Sequence, residues 1–291
     1  FLKEKPAGDI TLTLFEPDGT EIRKFSSKNV EEEEAETKKA DSAAAEGVED
    51  VLQTREETPK KKQKEPRIAK EAGLNRFVWN LRYPDATRIE DDDLANELVE
   101  GGIPGPAVPP GTYRVRLELG QESYEEEFRV AKDPRVGATE ADLKAQFEVL
   151  LRLRDRLSEV HKAVNEMRAL RRRAEDWVAR AKDKPELETI GRAAQAVVDR
   201  LKPIEAELIQ VEAKSRADTL NFPVRLNGKL AALAGSIASA DSKPTAAARA
   251  VFDDLSKRVQ AQLDQLSETV VTEIGNLNDA IRTADLPAVG V

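Results

Sequence analysis

Cysteine is absent from the 291 residues, and histidine occurs once, at His161. Without thiols there is neither a disulfide framework nor a thiolate nucleophile. A lone imidazole has no second ligand and no nucleophile to serve, so an exposed or boundary helix residue is the simpler reading of His161. Aromatic residues make up only 4%, a poor supply for an aromatic-lined pocket. No apolar run approaches the ~20 residues needed to cross a bilayer. A phosphate loop, a dinucleotide fingerprint and a Gly-x-Ser-x-Gly elbow are all missing. These absences leave no catalytic, cofactor-binding or metal-ligating constellation to nominate.

Charge is abundant instead. Charged residues make up 35%, and the net charge is −9. An acidic balance argues against nucleic acid as the main partner and against anionic membranes, because phosphate binding needs a basic surface. The length suggests about two domains. The chain opens at Phe1 and shows no signal peptide, and it reads as a piece of a longer polypeptide.

Two periods divide it. In the first half they are strand-like. Ile10, Leu12 and Leu14 alternate with threonines, Glu-Pro-Asp-Gly at 16–19 makes a turn, and Ile22 and Phe25 return. The stretch 73–84, Gly-Leu-Asn-Arg-Phe-Val-Trp-Asn-Leu-Arg-Tyr-Pro, alternates Phe77, Trp79 and Leu81 and predicts a central strand. Tyr113, Val115, Leu117 and Leu119, then a turn at 120–121, then Tyr124, Phe128 and Val130, predict a second hairpin. Together these predict a β-sandwich over 1–134.

Two segments interrupt it. An acidic block at 31–34 and a basic one at 60–64 bound a stretch with few large apolar residues, so 27–67 reads as a disordered insertion. Residues 85–110 read as a long Pro/Gly loop, packed across the sheet or onto a neighbouring domain. Asp91, Asp92 and Asp93 lack the spacing that wraps oxygens around calcium.

From Thr139 the period becomes 3.6. Thr139 is a good N-cap with Asp142 three residues on. Helices are expected over about 140–182, 185–215, 224–238 and 244–283, with Pro203 inside the second. Phe252, Leu255, Val259, Leu263, Leu266, Val270, Ile274, Leu277 and Ile281 form a near-heptad seam on the last. Summed lengths at about 1.5 Å per residue predict an antiparallel three-rod α-helical bundle over 135–291, its middle rod broken at Asn221-Phe222-Pro223. The fold class is therefore α+β and multidomain.

The order of the hairpin with Pro-Asp-Gly, Ala-Gly-Leu-Asn-Arg-Phe-Val-Trp-Asn-Leu-Arg-Tyr-Pro at 72–84 and Pro-Pro-Gly-Thr-Tyr-Arg-Val-Arg-Leu at 109–117 resembles the immunoglobulin-like domain of the flagellar hook-capping protein. It more closely resembles the C-terminal part of large secreted bacterial proteins with a sortilin-like β-propeller, often labelled glycosyl hydrolase with neuraminidase-type repeats. The helical stretches Ala-Thr-Glu-Ala-Asp-Leu at 138–143, Leu-Asn-Phe-Pro at 220–223 and Leu-Asn-Gly-Lys-Leu at 226–230 resemble that tail as well. Asn80 stands where that family usually has Asp. The resemblance implies an Ig-like sandwich, an extracytoplasmic (periplasmic or secreted) location, and as partner the propeller portion of the same polypeptide or another protein. No propeller repeat or Asp-box is visible here, and no catalytic residue carries over.

Three functions follow as expectations. The first is a non-catalytic C-terminal structural and interaction module of a secreted β-propeller protein. The second is an accessory part of a carbohydrate-active enzyme whose active site lies outside this chain. The third is a coiled-coil adaptor dimerising through the last helix. The candidate partner contacts are Trp177, near the end of the first long helix, and Arg171 and Arg172 of the basic cluster at 168–173. A solvated face paired with neighbouring Glu is the simpler reading of that cluster.

Overall fold

The structure, a computed structural model, describes residues 1–28, 66–97, 99 and 104–284. Nearly all of the expected insertion at 27–67, and part of the Pro/Gly loop, lie outside the described residues. The fold is mixed α+β, with a small four-stranded antiparallel sheet and a set of helices. It divides into two compact units, 1–82 with 110–132, and 83–109 with 133–291.

In the first unit, β1 (Ile10–Phe15), β2 (Glu21–Ser26), β3 (Gly111–Leu119) and β4 (Glu122–Val130) form one sheet in the order β2-β1-β3-β4. Both hairpins expected from the sequence are present. Gly19 holds φ +92° in the first turn, a conformation that a β-carbon would strain. Register fixes the two faces, since directly paired residues share a side. Ile10 pairs with Leu119, Leu12 with Phe25 and Leu117, Leu117 with Tyr124, and Tyr113 with Phe128, giving an apolar face. The opposite face is polar. Thr11 Oγ1 donates to Glu118 Oε2 at 2.7 Å, Arg116 pairs with Glu125 at 2.5 Å, and the Arg116 guanidinium lies 4.7 Å from the Phe15 ring centre.

The stretch 74–81 is not a ladder strand, which corrects the expectation of a central strand. Its alternation holds as far as Trp79. Phe77 packs on Phe25 with ring centres 4.7 Å apart, and Trp79 meets Phe128 edge-on at 6.2 Å. It therefore roofs the apolar face through side chains. Beyond Trp79 the backbone turns. Asn80 Oδ1 accepts from the Arg82 N–H at 3.2 Å, Trp79 Nε1 donates to the Arg82 carbonyl at 3.0 Å, and Leu81 adopts φ +57°. An Asx-type turn of this kind competes with a sheet ladder for the same backbone groups. Leu81, expected on the apolar face, is consequently 39% exposed.

The second unit contains α1 (Asp93–Glu97), α2 (Glu140–Ala181), α3 (Glu188–Leu208), α4 (Leu226–Ala238), α5 (Ala246–Thr269) and α6 (Gly275–Thr283). Thr139 caps α2 in a full capping box with Asp142, each side chain accepting from the other's backbone N–H at 3.1 Å. Thr245 caps α5 by accepting from the Ala248 N–H at 3.1 Å. The second expected helix ends earlier than its pattern suggested. Ile209 is extended at φ −135° and ψ 161°, and its side chain is fully buried.

The last helix is not continuous either. Val270–Ile274 forms a π turn between α5 and α6. Here Thr269, Val270, Val271 and Thr272 are consecutive β-branched residues. Thr269 Oγ1 bonds back to the Gln265 carbonyl and Thr272 Oγ1 to that of Glu268, at 2.8 and 2.7 Å. Crowded χ1 and back-bonding hydroxyls both loosen the regular ladder.

One core joins the helices. Leu153, Leu157, Val160 and Val164 of α2, Ala194 and Leu208 of α3, Leu230 of α4 and Val259 of α5 are fully buried. Full burial of each large aliphatic side chain contributes about 1.5–3 kcal/mol. The near-heptad seam is used inside this unit, where Phe252, Leu255, Val259, Leu266 and Leu277 belong to the shared core.

Candidate functional site

The densest polar arrangement lies along one stripe of α2. Arg154, Ser158, His161, Asn165 and Arg168 follow a four-three-four-three spacing, which keeps them on one side of a helix. Each bonds to the stretch 84–92. Arg154 Nη1 donates to the Pro84 carbonyl at 3.0 Å, and Ser158 Oγ accepts from the Thr87 N–H at 3.1 Å. His161 Nδ1 lies 2.6 Å from the Thr87 carbonyl oxygen. Asn165 accepts from the Glu90 N–H at 2.9 Å and donates to the Arg88 carbonyl at 3.1 Å. Arg168 Nη2 reaches Asp92 Oδ2 at 2.9 Å.

The same stretch buries Tyr83, Ala86 and Ile89, and Tyr83 packs on Phe147 with ring centres 5.0 Å apart. Asn96 closes it by accepting from the Ile89 N–H at 2.9 Å and donating to the Ile89 carbonyl at 2.7 Å. Residues 83–97 are thus a strap bound to the helical unit. The sequence left open whether 85–110 packs across the sheet or onto a neighbouring domain, and this stretch bonds to the helical unit. An extended segment without a sheet partner must find hydrogen bonds elsewhere, and α2 supplies them.

His161 is 2% exposed, which corrects the expectation of an exposed or boundary residue. A carbonyl can only accept, so Nδ1 carries the proton and Nε2 is an acceptor with no hydrogen-bond partner among the described residues. Burial holds the imidazole pKa below its ordinary value. The Thr87 carbonyl bond opposes this, and the Arg88 charge reinforces it.

At the lower end of the stripe four charges converge. Glu205 of α3 is 3% exposed; it accepts from Arg168 Nε at 2.6 Å and also from Arg171 Nη1. Asp92 takes the other arm of Arg168 and caps α1 through the Ala95 N–H at 2.8 Å. Burial disfavours the Arg168 charge, but hydrogen bonds and charges from Glu205 and Asp92 outweigh it and raise its pKa. A polar cavity of about 200 Å³ adjoins this cluster, with Gln210 on its wall. A second cleft, about 570 Å³ and more open, lies where α2 ends and α3 begins, with Val178, Ala181 and Val198 below and Lys182 and Arg192 at its rim. Gly191 lets the helices meet there, since a β-carbon on it would stand 2.7 Å from that of Ala181.

Of the residues singled out in the sequence, Arg171 is bound to buried Glu205, so its charge is used inside the unit. Arg172 is exposed, and Trp177 is half-buried against the core with the Arg180 guanidinium 5.1 Å from its ring centre. The structure does not bring these three together into one surface. The strap-binding stripe was missed. Its signal, polar residues at heptad spacing beside the apolar stripe of Leu153, Leu157, Val160 and Val164, is visible only when polar periodicity is read as carefully as apolar periodicity.

Among the described residues no group of three or more carboxylate or imidazole side chains is placed to hold a metal ion, and no helix is long and apolar enough to cross a membrane. Searches found no matching family model, no similar curated protein and no similar solved structure.

Proposed function

We propose that this chain is a non-catalytic structural and interaction module that docks, through the apolar face of its sheet, onto a β-propeller in the same extracytoplasmic polypeptide. One observation carries the reading. Among the described residues the apolar face is roofed by a single bent segment rather than by a second sheet, and part of it is open. Tyr124 is 57% exposed, and Val78 on the roof is 63% exposed. Open apolar surface of this kind marks contact sites. The resemblance of 72–84 and 109–117 to propeller-associated Ig-like domains supplies the partner. On this reading 66–82 takes the place of the second layer of an Ig-like sandwich, and the helices form a three-rod bundle with α3 and α4 as its broken middle rod.

The carbohydrate-active alternative draws less support. Asp92 and Glu205, the two carboxylates beside the polar cavity, are both engaged with Arg168. The adaptor reading needs an uncovered seam, whereas the seam residues Phe252, Leu255, Val259, Leu266 and Leu277 face the shared core. The test is calorimetric titration of the chain with the separately produced propeller encoded beside it. The reading expects saturable binding that Tyr124→Lys weakens at least tenfold. An absence of binding, or binding indifferent to Tyr124→Lys, overturns it.

A further inference from the structure

The side of α2 that holds the strap extends beyond it. The strap bonds along one stripe of α2 as far as Arg168 and ends in α1. The same four-three spacing carries that stripe on through Arg172, Glu175, Ala179 and Lys182. On α3, Glu205 shares a matching stripe with Lys202, Val198, Gln195, Gly191 and Glu188. Arg168 binds both Glu205 and Asp92, so the strap and α1 occupy one end of the groove between the two stripes. The remainder of that groove is the open cleft of about 570 Å³. Among the described residues nothing fills it.

Its walls have a definite chemistry. Val178, Ala181 and Val198 form an apolar floor, with Ala179 and Gly191 beside them. None of these is larger than valine, so a rod can lie close to both helices. The rim is charged, and its carboxylates already have arginines. Glu175 lies 3.7 Å from Arg171, and Glu188 lies 3.8 Å from Arg192. Lys182, where α2 ends, and Lys202, at the far end of the α3 wall, have no ion pair among the described residues. From Glu188 to Lys202 that wall is about 21 Å long. On a chain of net charge −9 the cleft thus keeps a positive excess.

These features choose the occupant. A small amphiphile binds in a pocket that encloses most of its surface, whereas this cleft is open. A second copy would bring the same unpaired lysines to the contact, and like charges repel. A helix suits a long trough between two helices, with a narrow apolar floor and charge outside it. We propose that the cleft docks an acidic amphipathic helix of a partner protein, in line with the strap. The apolar face of that helix lies on Val178, Ala181 and Val198, and carboxylates near its two ends meet Lys182 and Lys202. The site is built wholly from α2 and α3 and does not rest on the sheet-face reading.

The probe is a fluorescent helical peptide of about 18 residues, with leucine and alanine on one face and glutamate on the other, titrated by anisotropy into the full chain. The expected result is saturable binding. A Lys182→Gln, Lys202→Gln double variant and an Ala179→Gln variant, which fills the floor without changing charge, should each weaken it at least about fivefold. A peptide of the same composition, scrambled so that its apolar residues share no face, should not bind. All three substituted positions are exposed, and melting curves that match the wild type confirm folding. If one variant is destabilised, the other and the scrambled peptide decide. Equal binding of the scrambled peptide reduces the effect to charge attraction and overturns the proposal. So does binding indifferent to the variants, or no binding at all. Sodium laurate that binds the cleft where the helix does not, or a dimer that excludes the helix, also overturns it.

Discussion

His161 Nδ1 lies 2.6 Å from the carbonyl oxygen of Thr87, joining the middle of a 42-residue helix to a segment 74 residues earlier in the chain. The Nδ1–H can donate to that carbonyl in either protonation state, but burial disfavours the charged ring. Burial lowers the pKa of His161 in the folded chain, whereas the unfolded chain has the ordinary value near 6.5. Stability is therefore complete above about pH 6.5. It falls as pH drops through the window between the two values, because the unfolded state then binds a proton that the folded state refuses. The slope is at most about 1.4 kcal/mol per pH unit. Urea unfolding from pH 7.5 to 4.5 should show this decline, and His161→Gln, which keeps an N–H donor but cannot titrate, should flatten it. A parallel decline in both proteins would assign the acid sensitivity elsewhere.

Glu205 holds two arginines from a position that is almost entirely buried. Truncation by Glu205→Ala should cost about 3–5 kcal/mol, because two partly buried guanidiniums lose their main counter-charge. Glu205→Gln keeps the shape and one acceptor and should cost less. Denaturant midpoints of the two variants check the order.

At Gly105 the α-hydrogen that a side chain would replace points at the backbone. A β-carbon there would lie 1.9 Å from the Tyr83 carbonyl oxygen and 2.4 Å from its carbon. Neither atom can swing aside as a side chain would. Gly105→Ala should therefore separate 104–106 from 83–85, breaking the bond from the Tyr83 N–H to the Pro106 carbonyl, at a cost of about 3 kcal/mol. Gly235→Ala, in α4 with open space around it, should instead stabilise by up to about 1 kcal/mol. Thermal melts of the pair should move in opposite directions.

The hairpins, the Thr139 cap and the apolar stripes of the helices were legible because each is a local pattern with a local cause. Turn residues set the hairpins, a hydroxyl with a carboxylate three residues on sets the cap, and apolar spacing sets the helix faces. The bend after Trp79 escaped because Asn80 reads equally well as an outward strand residue or as the acceptor of an Asx turn. The strap escaped for a different reason. Its bonds run from side chains on α2 to backbone far away in sequence, and backbone groups carry no residue identity to betray them. The π turn at Val270–Ile274 could have been suspected from four adjacent β-branched residues, but the unbroken heptad spacing around it suggested a continuous rod.

Amide hydrogen exchange at Thr87, Ile89 and Glu90 tests most directly whether the strap belongs to the helical unit. Their N–H groups bond to Ser158, Asn96 and Asn165. The account predicts protection there comparable to that of the core of α2, lost together with it in denaturant. Exchange at these three amides at the rate of a free loop, while α2 remains protected, would contradict it.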